Sequence, residues 1–131
     1  GSAKSFMELV HRIEGYDYYV FADQDDFWLD NKIASGIAKL DNMEPELYCG
    51  NGMVVDENLV YSGINVYKKA PSVDFNTVTC AGGLLGCTMI FNEKLSRIIR
   101  THNMPNSMVM HDFYVSIRPS VLCTYKSSNR I

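Results

Sequence analysis

The chain lacks a dominant charge, a long apolar run and any close cysteine pair, and each absence removes a class of protein. Twelve basic residues against fifteen acidic ones leave a net charge of −3 over 131 positions. That spread-out charge is not the basic footprint of a nucleic-acid binder, so no nucleic-acid partner is expected. No apolar stretch approaches the ~18 residues of a membrane span, and no secretory leader is read. The expected location is therefore cytoplasmic, or peripheral at the inner face of the membrane through a partner. The four cysteines at 49, 80, 87 and 123 show no two-residue spacing of the kind used by zinc knuckles or redox motifs. They read as reduced core thiols, with Cys49 beside Tyr48 and Cys87 in an apolar stretch. There is no internal repeat, low-complexity tract or linker, so residues 1–131 read as a single domain.

What is present is a core-forming composition, 47% hydrophobic and 21% charged, arranged in alternating helical and extended patterns. Phe6, Leu9, Val10 and Ile13 recur at helical spacing and predict a helix over 4–14, ended by Gly15. The aromatic and β-branched run from Tyr16 to Ala22 predicts a buried, parallel, central strand. A second helix follows, capped by Asp30, with Ile33, Ile37 and Leu40 inward. Residues 47–66 read as strands, with Asp56-Glu57-Asn58 turning between Met53-Val54-Val55 and Leu59-Val60-Tyr61. Loop is expected over 67–84, then a strand from Gly86 to Phe91. Asn92 caps a helix to about Arg100, with Leu95, Ile98 and Ile99 inward. A loop at 103–107 leads to a segment around His111-Asp112, and Val121 to Tyr125 reads as a last strand. Strands alternating with helices define an α/β fold, whose ligands bind at the carboxyl ends of the strands.

Asp23 stands at such an end. In Val20-Phe21-Ala22-Asp23-Gln24-Asp25-Asp26-Phe27-Trp28, three carboxylates fall within four residues after an apolar strand. Their repulsion and desolvation need a compensating cation or donor set. Asp23 and Asp25, two apart in an extended chain, project to one side and suit a hard divalent cation. A solvated acidic turn leading into the next helix explains the same residues equally well. The adjacent Phe27-Trp28 favours a ligand cleft, where an aromatic serves as a wall, although Trp28 also reads as an anchor for the second helix. An EF-hand loop is excluded, because its fifth and sixth positions would be Phe27 and Trp28. A haloacid-dehalogenase-type phosphatase also places Asp-x-Asp after a strand, but Phe27 stands where a smaller residue is expected, and no later lysine and acidic pair is found.

The run from Tyr18 to Ile33, with Asp23-Gln24-Asp25-Asp26-Phe27-Trp28 and then Lys32, resembles the central motif of family 2 glycosyltransferases, in their bacterial rhamnosyltransferase-like and capsular-polysaccharide members. Gly86 to Asn92 is similar to the segment lining the acceptor side, and His111-Asp112-Phe113 looks like the family's His-Asp. The resemblance spans roughly residues 4–117 and implies a partial GT-A (Rossmann-like) fold, a mixed sheet flanked by helices. It implies a metal-dependent, inverting transfer from a nucleotide-diphosphate sugar to a glycan acceptor, with Mn2+ or Mg2+ as cofactor. Asp25 would be the principal metal ligand, with Asp23 in the metal shell or on the ribose and Asp26 supporting. Asp112 would be the catalytic base, and Trp28, Lys32, Gly86, Cys87 and His111 would contact donor or substrate. Family members open with further strand–helix units, and none precedes Lys4 here; a chain beginning partway into the nucleotide-binding half is expected. Strand edges left open in this way would favour a homo-dimer. After Asp112, Arg118-Pro119 interrupts the expected helix and the family's later histidine is absent. A non-catalytic remnant serving as an assembly surface is therefore the alternative, with the phosphohydrolase behind it.

Read without the resemblance, Asp112 is a helix cap or a surface ion-pair partner. His111 reads as a packing or orienting residue, and His11 and His102 as solvated or helix-end residues. Gly82, Gly83 and Gly86 fit either a close backbone approach to a sugar or a flexible loop, and Lys68 and Lys69 read as solvated.

Overall fold

The computed structural model describes residues 2–69, 84–103, 110–117 and 124–127. Its strands are β1 (Tyr18–Val20), β2 (Glu46–Cys49), β3 (Met53–Val55), β4 (Tyr61–Asn65), β5 (Met89–Asn92) and β6 (Thr124–Ser127). Its helices are α1 (Ser2–Arg12), α2 (Lys32–Ile37), α3 (Glu93–Thr101) and α4 (His111–Ile117). The central sheet runs β1-β5-β2-β6, and β3 and β4 form a separate hairpin. Strand β5 is antiparallel to both neighbours, whereas β2 and β6 are parallel, so the sheet is mixed and the chain is α/β.

Side-chain alternation along the strands divides the core in two. Leu47, Cys49, Met89 and Phe91 join Met7, Val10, Leu95, Ile99 and Val115 in one cluster, which ties α1, α3 and α4 to the sheet. Tyr48 and Ile90 point the other way and pack with Leu40 and the half-buried Ile33 and Ile37 of α2. Helix α2 lies so close to the sheet that a Cβ on Gly36 would stand 2.2 Å from Ile90 Cδ1. Asn92 fastens the centre: its Oδ1 accepts from Leu95 N and Glu46 N, and its Nδ2 donates to Glu44 O. The cap expected at Asn92 is thus present, and it also holds the start of β2.

Several expectations change. The strand expected over 16–22 is three residues long, half-buried and antiparallel, and lies at an end of the sheet among the described residues. Its aromatic density reads as burial, but Tyr16 is exposed and Tyr19 turns its hydroxyl out to donate to Glu93 Oε2 at 2.6 Å. In α1 the buried face is Met7 and Val10 with Phe6, while Leu9 is exposed, as is Ile13 just past the helix end at Arg12. Helix α2 opens at Asn31 rather than Asp30, without a side-chain cap. The expected strand from Gly86 starts instead with a 3-10 turn, Gly86–Thr88, and becomes extended at Met89. In α3, Ser96 is buried and Ile98 only half so. The hairpin exists, with its second strand displaced to 61–65 because Asp56 Oδ1 accepts from Asn58 N and Val60 N and extends the turn. Cys49 is a free, buried thiol as read, whereas Cys87 is half-buried and faces the acidic motif. His11 sits in the last turn of α1, the helix-end alternative expected for it, where it is half-buried and its Nε2 has no hydrogen-bond partner. Gly82, Gly83, Cys80, Cys123, Arg118-Pro119 and most of the loops expected over 67–84 and 103–107 lie outside the described residues.

Candidate functional site

The acidic motif leaves β1 and turns at once. Asp26 N approaches Asp23 O at 3.5 Å, so the chain folds back instead of continuing extended. The turn brings Asp23 to Asp26, three positions on, and not to Asp25 as an extended chain would. Carboxylate oxygens of Asp23 and Asp26 and the Cys87 sulfur all lie within 4.8 Å of one another. Asp25 stands outside this group, exposed on the rim of the adjoining cleft.

Lys32, in the first turn of α2, reaches across this cluster. Its Nζ donates to Cys87 O at 2.7 Å and lies 3.6 Å from the Trp28 ring centroid, a cation–π contact. Burial lowers the Lys32 pKa, and the neighbouring Cys87, Asp26 and Asp23 act against that shift. Burial also pushes the Cys87 thiol up to about 12, helped by its hydrogen bond to Asp26 and by the charges of Asp26 and Asp23. Cys87 therefore stays protonated and serves as a donor to Asp26. Two converging carboxylates fit a hard divalent cation, for which a soft sulfur is a poorly matched third ligand.

The 3-10 turn joins this cluster to the His-Asp pair. A Cβ on Gly86 would stand 2.7 Å from His111 Nε2 and 3.3 Å from Asp112 Cβ, so only glycine lets α4 come this close. His111 is buried, stacked on Phe6 at 4.3 Å and edge-on to Phe21 at 4.7 Å, and its Nε2 has no hydrogen-bond partner. Burial lowers its pKa, while the charges of Asp112 and Asp23 act to raise it. Those two charges come from the two separate motifs. Asp112 sits in the first turn of α4 and is buried at 9% exposure.

A cleft of about 310 Å³ opens beside the cluster, with Asp25, Asp26, Trp28 and Lys32 on one wall. Phe27 and Leu29, and Met53, Val55 and Leu59 from the hairpin arm, also line the cleft. Asn51 was not singled out in the sequence. Its Nδ2 donates to Tyr67 O and its Oδ1 accepts from Gly52 N and Tyr67 N, closing the base of the arm at the cleft. Tyr67 Oη accepts from Leu85 N at 2.6 Å, fixing the arm to the 3-10 turn, and burial raises the Tyr67 pKa. The Asn51-Gly52 pair after a strand is the turn signal that marks this position. A shallower depression of about 810 Å³ lies elsewhere, lined by Glu14, Tyr16, Asp17, Glu93, Arg97 and Arg100. Glu93 there is already paired with Arg97 and Arg100.

Comparison with known proteins finds similarity to a glycosyltransferase. Over 123 residues, 88% of the chain, it is 28% identical to the dTDP-rhamnosyl transferase RfbG of Shigella flexneri. The chain spans 41% of that protein's length. No family model matches the chain, and no solved structure matches it. No helix among the described residues is long and apolar enough to cross a membrane.

Proposed function

We propose that the chain is the catalytic part of a metal-dependent, inverting glycosyltransferase of GT-A type. It takes a nucleotide-diphosphate sugar, with dTDP-rhamnose the first donor to try, and transfers the sugar to a glycan acceptor in the cytoplasm or at the inner face of the membrane. The reading rests on the Gly86–Cys87 turn, which touches the Asp23/Asp26 cluster on one side and the His111-Asp112 pair on the other.

In this reading Asp23 and Asp26 would hold Mn2+ or Mg2+, with Asp25 exposed nearby on the rim. When bound, such a cation would supply neutralisation of the charge on the departing diphosphate. Lys32 adds a positive charge beside the carboxylates, and Trp28 and Phe27 line the cleft. Asp112 accepts the proton of the acceptor hydroxyl. The hydroxyl oxygen forms the new bond to the anomeric carbon as the bond to the diphosphate oxygen breaks, which inverts that carbon. His111, held between two phenylalanines, fixes the orientation of the helix that carries Asp112.

Trp28, the sole tryptophan, provides the assay. Titration with Mn2+ and dTDP is expected to change its fluorescence, and Asp23→Asn or Asp26→Asn to abolish the change. Asp112→Asn is expected to keep the binding signal and to lower sugar transfer by roughly 10²–10⁴-fold. No signal at millimolar ligand, or a signal indifferent to both aspartates, rejects the assignment.

A further inference from the structure

The arm formed by β3 and β4 carries apolar side chains that its own cleft does not use. Val54, Val60, Tyr61, Ile64 and Val66 are 42 to 60% exposed, and none of them lines the cleft. Isolated exposed apolar residues need no explanation. Tyr61 pairs with Val55 and shares the cleft side, but Val54, Val60, Ile64 and Val66 on one short arm form a patch of the kind that marks an interaction surface. The ends of the arm differ in charge. Its tip carries Asp56 and Glu57, and its base carries Lys68 and Lys69, all exposed and none in an ion pair among the described residues.

We infer that this arm is the interface between two copies of the chain, packed side by side and antiparallel about a two-fold axis. In that arrangement the acidic tip of each copy meets the basic base of the other, and the apolar patches cover each other in the middle. Such an isologous contact is self-complementary, so it closes at two copies. An acidic tip is also the wrong sign for docking onto anionic lipid. The contact is between side chains and does not extend the sheet. Register shifts between Met53 and Val55, and Gly63 of β4 sits at φ +81°, so β4 offers no regular edge to pair.

Sedimentation velocity of the 131-residue chain at low salt, over a concentration series, tests this. A monomer–dimer equilibrium is expected, weakened about tenfold or more by Ile64→Asp or Val60→Asp. Glu57→Lys and Lys69→Glu should each weaken the dimer, and the double swap should restore it. All four positions are exposed, and circular dichroism checks that each variant stays folded. A monomer at every concentration overturns the inference, as does a dimer indifferent to Ile64→Asp or a double swap that fails to restore it. A monomeric chain that binds phosphatidylglycerol vesicles through the arm overturns it in favour of a membrane surface.

Discussion

The segment from Met89 to Ile99 and the arm from Met53 to Val66 are both rich in large and β-branched apolar residues, and the fold treats them in opposite ways. Met89, Ile90, Phe91, Leu95 and Ile99 are at most 1% exposed, whereas Val60 and Ile64 of the arm are 60% and 59% exposed. Strand β5 has a neighbour on each side and a core cluster on each face. The arm has only its own second strand to pair with among the described residues. Apolar content therefore records a demand for burial, and the number of neighbours decides whether the chain meets it alone.

Chemical denaturation of paired variants measures this contrast. Phe91→Ala should cost about 3–5 kcal/mol by opening a cavity in the buried cluster. Ile64→Ala, measured on the monomer, should stay within about 0.5 kcal/mol. Equal costs would mean that the arm is packed after all. The glycines sharpen the comparison. Gly86→Ala drives a methyl into His111 and should cost roughly 1–3 kcal/mol and impair transfer, because α4 must move. Gly63→Ala meets no atom within 4 Å and should cost only about 1 kcal/mol from its positive φ, with the cleft unchanged.

The smallest expected effect is a pH slope confined to the well-packed side. His11 and His111 both have buried, unpartnered Nε2 atoms, and burial places both folded pKa values below the ordinary 6.5. The unfolded chain then binds more protons as pH falls, so their contribution is complete above pH 6.5 and lost as pH drops towards the folded values. Glu93, whose own desolvation is outweighed by Tyr19, Arg97 and Arg100, has its pKa held below the ordinary 4.5, so its contribution is complete above 4.5 and is lost only as pH falls below that. The interval between 6.5 and 4.5 should therefore report the imidazoles, and His111→Asn should flatten it; an unchanged slope would assign it elsewhere.

What the sequence made legible follows from how local each signal is. Asn92 as a cap and the Asp56 turn need only their own neighbours, and both are present. Asp23, Trp28, Lys32 and Cys87 were singled out as site residues, and the fold brings them together. The pairing of Asp23 with Asp26 was not legible, because it depends on a turn where an extended chain was assumed. The place of β1 at the end of the described strands was equally hidden, since aromatic density says nothing about which strand comes alongside. Exposure of the arm was missed for the same reason: β-branched residues report a preference for extension, not the presence of a covering layer.

Asn92 has a consequence for the order of folding. One side chain closes the start of α3 and at the same time receives the amide of Glu46, 46 positions earlier in the chain. The local helix start can form early, but its oxygen finds its second partner only when a long loop has closed. The β5–α3 corner is thus a place where a fast, local event waits for a slow, distant one. Folding kinetics probed at Asn92 would report the moment at which the two halves of the sheet meet.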